Sequence, residues 1–214
     1  ALQGTAAAHR TLEARLAGLT DAQARQASLL PGWTVGHVLT HIARNSDGLR
    51  NMLEGAERGE VAEMYPALSH ATGRDRRNAD IEAGARRGAA DLVLDVRESS
   101  AAVEAAFAAM TDEAWLGTGT APFGPVTMHD VPMRRWREVA VHHADLGLGY
   151  SWNDWPADYV RSELRLLGIL WNSRRPMGLT GLPPAAMAVT DHHRAAWLLG
   201  RTVIEGLEPA GLFG

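Results

Sequence analysis

The sequence predicts a mainly α-helical protein: an antiparallel four-helix bundle followed by a small C-terminal α+β region. Four segments carry apolar residues at spacings of three and four, turn-forming Gly and Pro residues separate them, and the pattern changes beyond Tyr150. A chain of 214 residues that is 46% hydrophobic can fill a core of this kind. We place the bundle in residues 1–152 and the smaller region in residues 153–214.

The first two helices are predicted from their apolar periodicity and from one cap. Residues 5–19 carry Leu12, Leu16 and Leu19 on one side of a helix. A turn at residues 29–32 precedes Thr34, whose side chain is suited to cap a second helix that ends near residues 55–59. The apolar residues of this second helix are Val35, Val38, Leu39, Ile42, Leu49 and Leu53.

The next segment, residues 60–78, has no sustained period and is predicted to be a long surface loop. A long third helix is expected over residues 79–110, with a break near Gly88. Residues 115–132 are typical of a loop or irregular hairpin. They lead to a fourth helix over residues 132–148, and bundles of this type often bind metals through inward-facing side chains.

The C-terminal region has a different organisation. A helix is expected from the Trp155-Pro156 pair through about Trp171. A Gly- and Pro-rich section follows around the short run 187–190, and a last helix covers residues 191–205. About 60 residues bury too little surface to be comfortably stable alone, so we interpret this region as an appendage of the bundle.

Charge and hydropathy exclude several classes of function. The net charge of −4 and the scattered Arg residues provide no basic surface for nucleic acid. No apolar run is long enough to span a membrane, and the N-terminus lacks the pattern of a signal peptide. We therefore expect a cytoplasmic protein that binds neither nucleic acid nor membrane.

Two residue types are absent from the sequence. There is no Cys, which excludes disulfides, thiolate metal sites and a cysteine nucleophile. All 21 basic residues are Arg, so a Schiff-base lysine and a phosphate-loop lysine are also excluded. Any thiol chemistry must use a thiol from outside the protein.

Histidine and glutamate residues at helical spacing suggest a metal site. His37 and His41 lie four residues apart on the second predicted helix, and Glu138 and His142 lie four apart on the fourth. One His from one helix with a Glu and a His from another suits Zn²⁺, Fe²⁺, Ni²⁺ or Mn²⁺ and leaves coordination positions open. Chance also produces solvated Glu/His pairs at this spacing, so the spacing leaves both interpretations open.

Two segments around these residues resemble the mycothiol-dependent maleylpyruvate isomerase family of the DinB-like superfamily. They are residues 30–45 (LPGWTVGHVLTHIARN) and residues 137–147 (REVAVHHADLG). The loop 64–66 (MYP) and the segment 78–84 (NADIEAG) are similar to the same family, and residues 197–201 (WLLGR) match it loosely. The resemblance covers most of residues 20–152 and implies a DinB-like bundle.

The resemblance implies a metal site and a cofactor. It assigns the metal ligands to His41, Glu138 and His142, with zinc expected first and Fe, Ni or Mn as alternatives, and it places His37 outside the ligand set. It also implies mycothiol as a thiol cofactor and the isomerisation of maleylpyruvate to fumarylpyruvate. A metal-bound thiolate could add to a cis double bond, allow rotation and leave again, so the reaction needs no protein nucleophile.

Other residues are candidates for binding and orientation. A small anionic substrate needs cations, and Arg201 is the candidate from the loose C-terminal match, although a surface salt bridge explains it equally well. Asn45 and Asp145 lie one turn beyond a predicted ligand. Asn45 is a candidate for substrate or thiol binding, and Asp145, with His37, for orienting the ligands. Packing or capping roles remain open for both Asn45 and Asp145.

Three functions are compatible with this sequence. The first is a metal- and mycothiol-dependent isomerase acting on maleylpyruvate or a similar cis-enedioic 2-oxo acid. The second is a mycothiol S-transferase that conjugates an electrophile in detoxification or biosynthesis. The third is a non-catalytic binding module on the same scaffold. Trp and Arg residues near the C-terminus are compatible with a homodimer.

Overall fold

The computed structural model describes residues 1–66, 73–174 and 181–212 and divides into two units, Ala1–Leu148 and Gly149–Gly214. The helices of the first unit are α1 (Leu2–Leu16), α2 (Asp21–Arg25), α3 (Val35–Glu57), α4 (Gly73–Gly84), α5 (Ala89–Ala109), α6 (Asp112–Trp115) and α7 (Val131–Asp145). Its strands are β1 (Thr118–Ala121) and β2 (Gly124–Thr127), and a 3-10 turn covers Met128–Asp130. The first unit therefore contains every strand among the described residues.

The first unit is a bundle of α1, α3, α5 and α7. In this bundle α3 and α1 each pack against both α5 and α7. Two apolar clusters fill the interior, one around Leu39, Ile42 and Val96 and the other around Met52 and Val103. The prediction of a mainly helical protein with a four-helix bundle is confirmed.

The directions of the bundle helices follow from contacts between them. Along α3 and α7, His41 meets Glu138 and Asn45 meets Arg135, so these two helices run antiparallel. Thr5 bonds the Pro132 carbonyl while the later His9 bonds Arg135, so α1 and α7 run parallel.

Helices α3 and α5 also run parallel. Arg44 meets Asp95 near the middle of both helices, and the Glu57 carboxylate at the end of α3 accepts from the Thr111 backbone just beyond α5. Two parallel neighbours cannot be joined by a tight turn, because the chain must first return along the length of the bundle. The long segment between α3 and α5 makes this return.

The segment predicted as a loop over residues 60–78 is partly helical. Residues 67–72 lie outside the described chain, but α4 begins at Gly73, so residues 73–78 belong to a helix. The expected break near Gly88 is found, since α4 ends at Gly84 and α5 begins at Ala89. Before the gap, the Met64 backbone donates to Thr120 in β1 (2.7 Å), which attaches this segment to the β1–β2 hairpin.

The second unit contains a 3-10 turn (Trp152–Asp154), α8 (Ala157–Ser173), α9 (Pro184–Ala188) and α10 (Asp191–Leu198). Its described residues, 149–174 and 181–212, form helices and no strand, so the β component predicted for the C-terminal region does not appear among them. Part of the run 187–190 belongs to α9 instead. The last helix ends at Leu198, before the expected residue 205. Gly200 has a φ of +72°, and Arg201 N donates to Ala196 O while Gly200 N donates to Trp197 O, a Schellman termination. In the described residues no helix is long and apolar enough to cross a bilayer.

A buried hydrogen-bond network joins α1, α3, α5 and α7. Arg135 is fully buried; its Nε donates to His9 Nε2 (3.0 Å), and its Nη1 donates to Ile42 O and Asn45 Oδ1. His9 Nδ1 lies 2.6 Å from the Glu104 carboxylate. Since Arg135 cannot accept a hydrogen bond, His9 must accept through Nε2 and donate through Nδ1, which makes it a neutral imidazole.

The close approach of α3 to the chain after α4 predicts the effect of one substitution. A Cβ on Gly36 would lie 2.5 Å from the Ala85 carbonyl oxygen. Because this oxygen belongs to the backbone, a side-chain rotation cannot relieve the clash. We expect Gly36→Ala to destabilise the protein by about 1–3 kcal/mol in urea unfolding. Gly168→Ala on α8 is the matched control because nothing lies within 4 Å of its Cβ, and it should leave stability unchanged or raise it by about 0.5–1 kcal/mol. Equal effects of the two substitutions would contradict this packing.

His9 predicts a component of the acid sensitivity. Burial and the neighbouring positive charge of Arg135 lower the pKa of His9 from 6.5 to about 3. Below pH 6.5 His9 is protonated in the unfolded chain but stays neutral in the folded chain. The free energy of unfolding therefore falls as the pH falls, by up to about 1.4 kcal/mol per pH unit, until the pH approaches 3. His9→Gln should flatten this slope in urea unfolding between pH 7 and 4, whereas the exposed His129→Gln should follow the wild type. An unchanged slope in His9→Gln would mean that His9 is not held neutral.

Candidate metal centre

Three potential ligands from α3 and α7 meet at one point inside the bundle. His41 Nε2 lies 3.0 Å from Glu138 Oε2 and 2.9 Å from His142 Nε2, and His142 Nε2 lies 3.5 Å from Glu138 Oε2. Glu138 and His142 share a face of α7 because four residues make about one helical turn. The antiparallel course of α3 brings His41 to that face. The structure thus gathers the three residues that the sequence analysis selected as metal ligands.

The donor atoms are spaced as ligands of a single metal ion would be. Ligands at about 2.0–2.2 Å from one ion lie about 3 Å from one another, which matches the three distances in this cluster. Two imidazole nitrogens and one carboxylate oxygen suit zinc and neighbouring divalent metals. The exposed fraction is 8% for the His41 side chain, 14% for His142 and 29% for Glu138, so solvent and small molecules reach the cluster from the Glu138 side.

The charges of the cluster favour a cation. Burial alone would raise the pKa of Glu138, but hydrogen bonds from His142 and His41 hold it well below its ordinary value, so the carboxylate is ionised. Burial and the neighbouring His142 lower the pKa of His41 to about 4, which keeps its ring neutral. Burial opposes protonation of His142 too, but the hydrogen bonds to Asp145 and Glu138 outweigh it and raise the pKa of this ring. Metal ligands of these two types are an ionised carboxylate and a neutral imidazole, which are the protonation states of Glu138 and His41.

Asp145 holds His142 in the orientation that a ligand requires. Its Oδ2 lies 2.8 Å from His142 Nδ1, and its side chain is 3% exposed. A carboxylate at this distance accepts a hydrogen bond from Nδ1–H, so in the neutral ring the lone pair lies on Nε2, which faces the cluster. The predicted orienting role of Asp145 agrees with this geometry.

Arg77 holds His41 in the opposite tautomer. Arg77 Nη2 lies 2.7 Å from His41 Nδ1, and a guanidinium can only donate, so Nδ1 accepts and the ring proton resides on Nε2. A metal on Nε2 requires the lone pair of that nitrogen and moves the proton to Nδ1. For a neutral His41, the Arg77 hydrogen bond and a metal on Nε2 therefore exclude each other. The sequence analysis missed Arg77, although it directly precedes the family-like segment 78–84.

His37 lies away from the three ligands and serves the start of α3. Its Nδ1 accepts from the Thr34 backbone (3.1 Å) while the Thr34 hydroxyl accepts from the His37 backbone, which forms a capping box. Its Nε2 faces Glu82 at 3.4 Å. The Trp33 ring packs beside both histidine rings. Its centroid lies 6.1 Å from the centroid of His37 and 5.6 Å from that of His41. His37 is thus a capping residue, and Trp33 packs against the candidate ligand His41.

The other two candidates, Asn45 and Arg201, belong to different units of the chain. Asn45 is buried on α3, and its Oδ1 accepts from Arg135, so the structure gives it a role in joining α3 to α7 and does not bring it to the three ligands. Its side chain lies one turn beyond His41 and faces the interior instead. Arg201 belongs to the second unit, where its Nη1 donates to the Leu199 carbonyl directly after α10.

The cluster predicts the metal content of purified protein. We expect about one zinc equivalent after loading and dialysis, and loss of that metal in His41→Ala, Glu138→Ala and His142→Ala, because two donors hold zinc poorly. Elemental analysis measures this, and His129→Ala, on the 3-10 turn before α7, is the control that should keep its metal. Asp145→Asn should retain zinc but bind it about 10–100-fold more weakly. Retention of stoichiometric metal by Glu138→Ala would contradict the site.

Comparison with known proteins shows which family the first unit resembles. The family model described as the mycothiol maleylpyruvate isomerase N-terminal domain matches residues 5–147. Solved structures of a mycothiol-dependent maleylpyruvate isomerase and of its histidine-to-alanine mutant have the same fold, with TM-scores of 0.79 and 0.78. They are 22% and 21% identical to this chain, and each alignment covers 94% of this chain and 88% of theirs. No curated protein sequence matches the chain.

Proposed function

Because the chain belongs to the family of the mycothiol maleylpyruvate isomerase N-terminal domain, we propose that it is a metal- and mycothiol-dependent cis-trans isomerase. Its substrate is maleylpyruvate or a similar cis-enedioic 2-oxo acid. The observation that carries the proposal is the meeting of His41, Glu138 and His142 in a protein that has no Cys. Such a protein can activate a thiol but cannot supply one.

The three ligands fit the demands of this chemistry. When bound, the metal would lower the pKa of a coordinated thiol and provide a thiolate for reversible addition to the cis double bond. The single negative charge of Glu138 and the two neutral imidazoles leave a divalent ion with a net positive charge. An anionic thiolate and an anionic substrate are both attracted to such a centre.

The surrounding residues hold the ligands in place. Asp145 accepts the Nδ1 proton of His142 and thereby directs Nε2 at the cluster. The indole of Trp33 packs against His41 and, with the buried surface of α3, shields that side of the cluster from water. The partly exposed Glu138 side leaves an approach for thiol and substrate.

A reaction followed by mass spectrometry tests the proposal. Zinc-loaded protein incubated with mycothiol and maleylpyruvate should give a product of unchanged mass that chromatography separates as the trans isomer. Omission of mycothiol should abolish the reaction, because the protein holds no thiol of its own. His41→Ala should also be inactive, whereas His129→Ala should retain the wild-type rate.

Other outcomes point to the alternative functions. A stable mycothiol adduct formed with other electrophiles, without isomerisation, would contradict the isomerase and support an S-transferase. Wild-type protein that binds neither stoichiometric metal nor mycothiol would contradict both enzymes and leave a binding module.

A further inference from the structure

A cleft of roughly 320 Å³ lies between α3 and α4. Its lining includes three cations, together with Tyr65 and the acidic residues Asp47 and Asp80. The cations are Arg44, Arg76 and Arg77. Arg77 connects this cleft to the metal centre, because its guanidinium also contacts His41 Nδ1.

Two of the three cations already have acidic partners. Arg44 pairs with Asp47 at 3.1 Å and with Asp95 at 2.5 Å. Arg76 lies 3.8 Å from Asp80, one turn further along α4. The positive charge of these two side chains is therefore largely compensated within the protein.

Arg77 differs from both of its neighbours in the cleft. Among the residues that the structure describes, no carboxylate lies within 4 Å of its guanidinium. Its contacts are the Asn78 amide oxygen (3.1 Å), His41 Nδ1 and the face of the Tyr65 ring, whose centroid is 5.8 Å from Cζ. All of these are uncharged, so Arg77 brings an uncompensated positive charge to the edge of the metal centre.

We propose that Arg77 binds a carboxylate group of the substrate in this cleft. This inference rests on the proposed function, since it assigns the substrate contact of the same site. The carboxylate would lie one imidazole ring away from the metal ligands, because Arg77 contacts Nδ1 of the ring whose Nε2 faces them.

The hydrogen bonds of His41 give the reason for this role. A metal held by His41 would need the lone pair of Nε2, and a ring proton on Nδ1 would then leave no acceptor for Arg77 there. The guanidinium then needs a new acceptor, and a carboxylate offers two oxygens that match its planar fork.

Tyr65 completes the polar environment of this carboxylate. Burial raises the pKa of Tyr65 to about 12, so its hydroxyl keeps its proton at neutral pH and can donate to an anion. Its ring packs against the Arg77 guanidinium and limits the positions that this flexible side chain can adopt.

Calorimetric titration of zinc-loaded, full-length protein with maleate tests the inference without requiring turnover. A charge-assisted hydrogen bond contributes about 1.5–3 kcal/mol, so Arg77→Gln should weaken maleate binding by about tenfold or more. Arg77→Lys keeps the charge but loses the planar guanidinium that can bind two carboxylate oxygens. Its affinity for maleate should lie between those of the wild type and Arg77→Gln. Arg25→Gln removes an equal charge from an exposed pair with Asp21 and should bind within about twofold of the wild type.

Zinc content is measured on every variant before titration. Binding of maleate by zinc-loaded Arg77→Gln within about twofold of the wild type would overturn the inference. Loss of zinc from Arg77→Gln would also overturn it, because Arg77 would then serve to hold His41.

The outcomes separate this inference from the proposed function. If the wild-type protein isomerises maleylpyruvate but Arg77→Gln binds maleate as tightly as the wild type does, only the inference is refuted. Maleate binding that depends on Arg77, in a protein that cannot isomerise maleylpyruvate with mycothiol present, would refute only the proposed function and support the inference.

Discussion

The buried guanidinium of Arg135 is the contact on which the site depends. It ties α7 to α1 through His9 and to α3 through Ile42 and Asn45. Burial lowers its pKa to about 10, so Arg135 remains charged at neutral pH. A charge in this position must be hydrogen-bonded, and only one rotation of α7 lets it reach these partners. Because Glu138 lies one turn further along α7, the same rotation directs Glu138 and His142 toward His41.

The two histidines of the cluster are held differently. Asp145 places the proton of His142 on Nδ1, as a metal ligand requires, whereas Arg77 places the proton of His41 on Nε2. The two nitrogens of the His41 ring thus have different neighbours: Nε2 faces Glu138 and His142, and Nδ1 faces Arg77.

The parallel arrangement of α3 and α5 explains why the cleft lies where it does. The chain has to return along the bundle between these helices, and α4 lies on that return path beside α3. This placement brings Arg77 to His41 and Tyr65 to the cleft wall. A bundle joined by short turns throughout would leave this side of α3 without a covering helix.

Much of the fold could be predicted from the sequence, because helices and their caps depend on local spacing. The choice of His41, Glu138 and His142 as candidate ligands came from the resemblance of the two segments that carry them. The cap at Thr34, the period of α3 and the four-residue interval between Glu138 and His142 each involve one helix and its immediate neighbours. The roles of Asn45 and Arg77 could not be predicted in this way. They depend on how far each helix is rotated and on which distant side chain it meets, as when Arg135 draws Asn45 into the core and α4 carries Arg77 to His41. Helical periodicity is a local property of the chain, whereas the partner of a buried polar group is decided only when the helices pack.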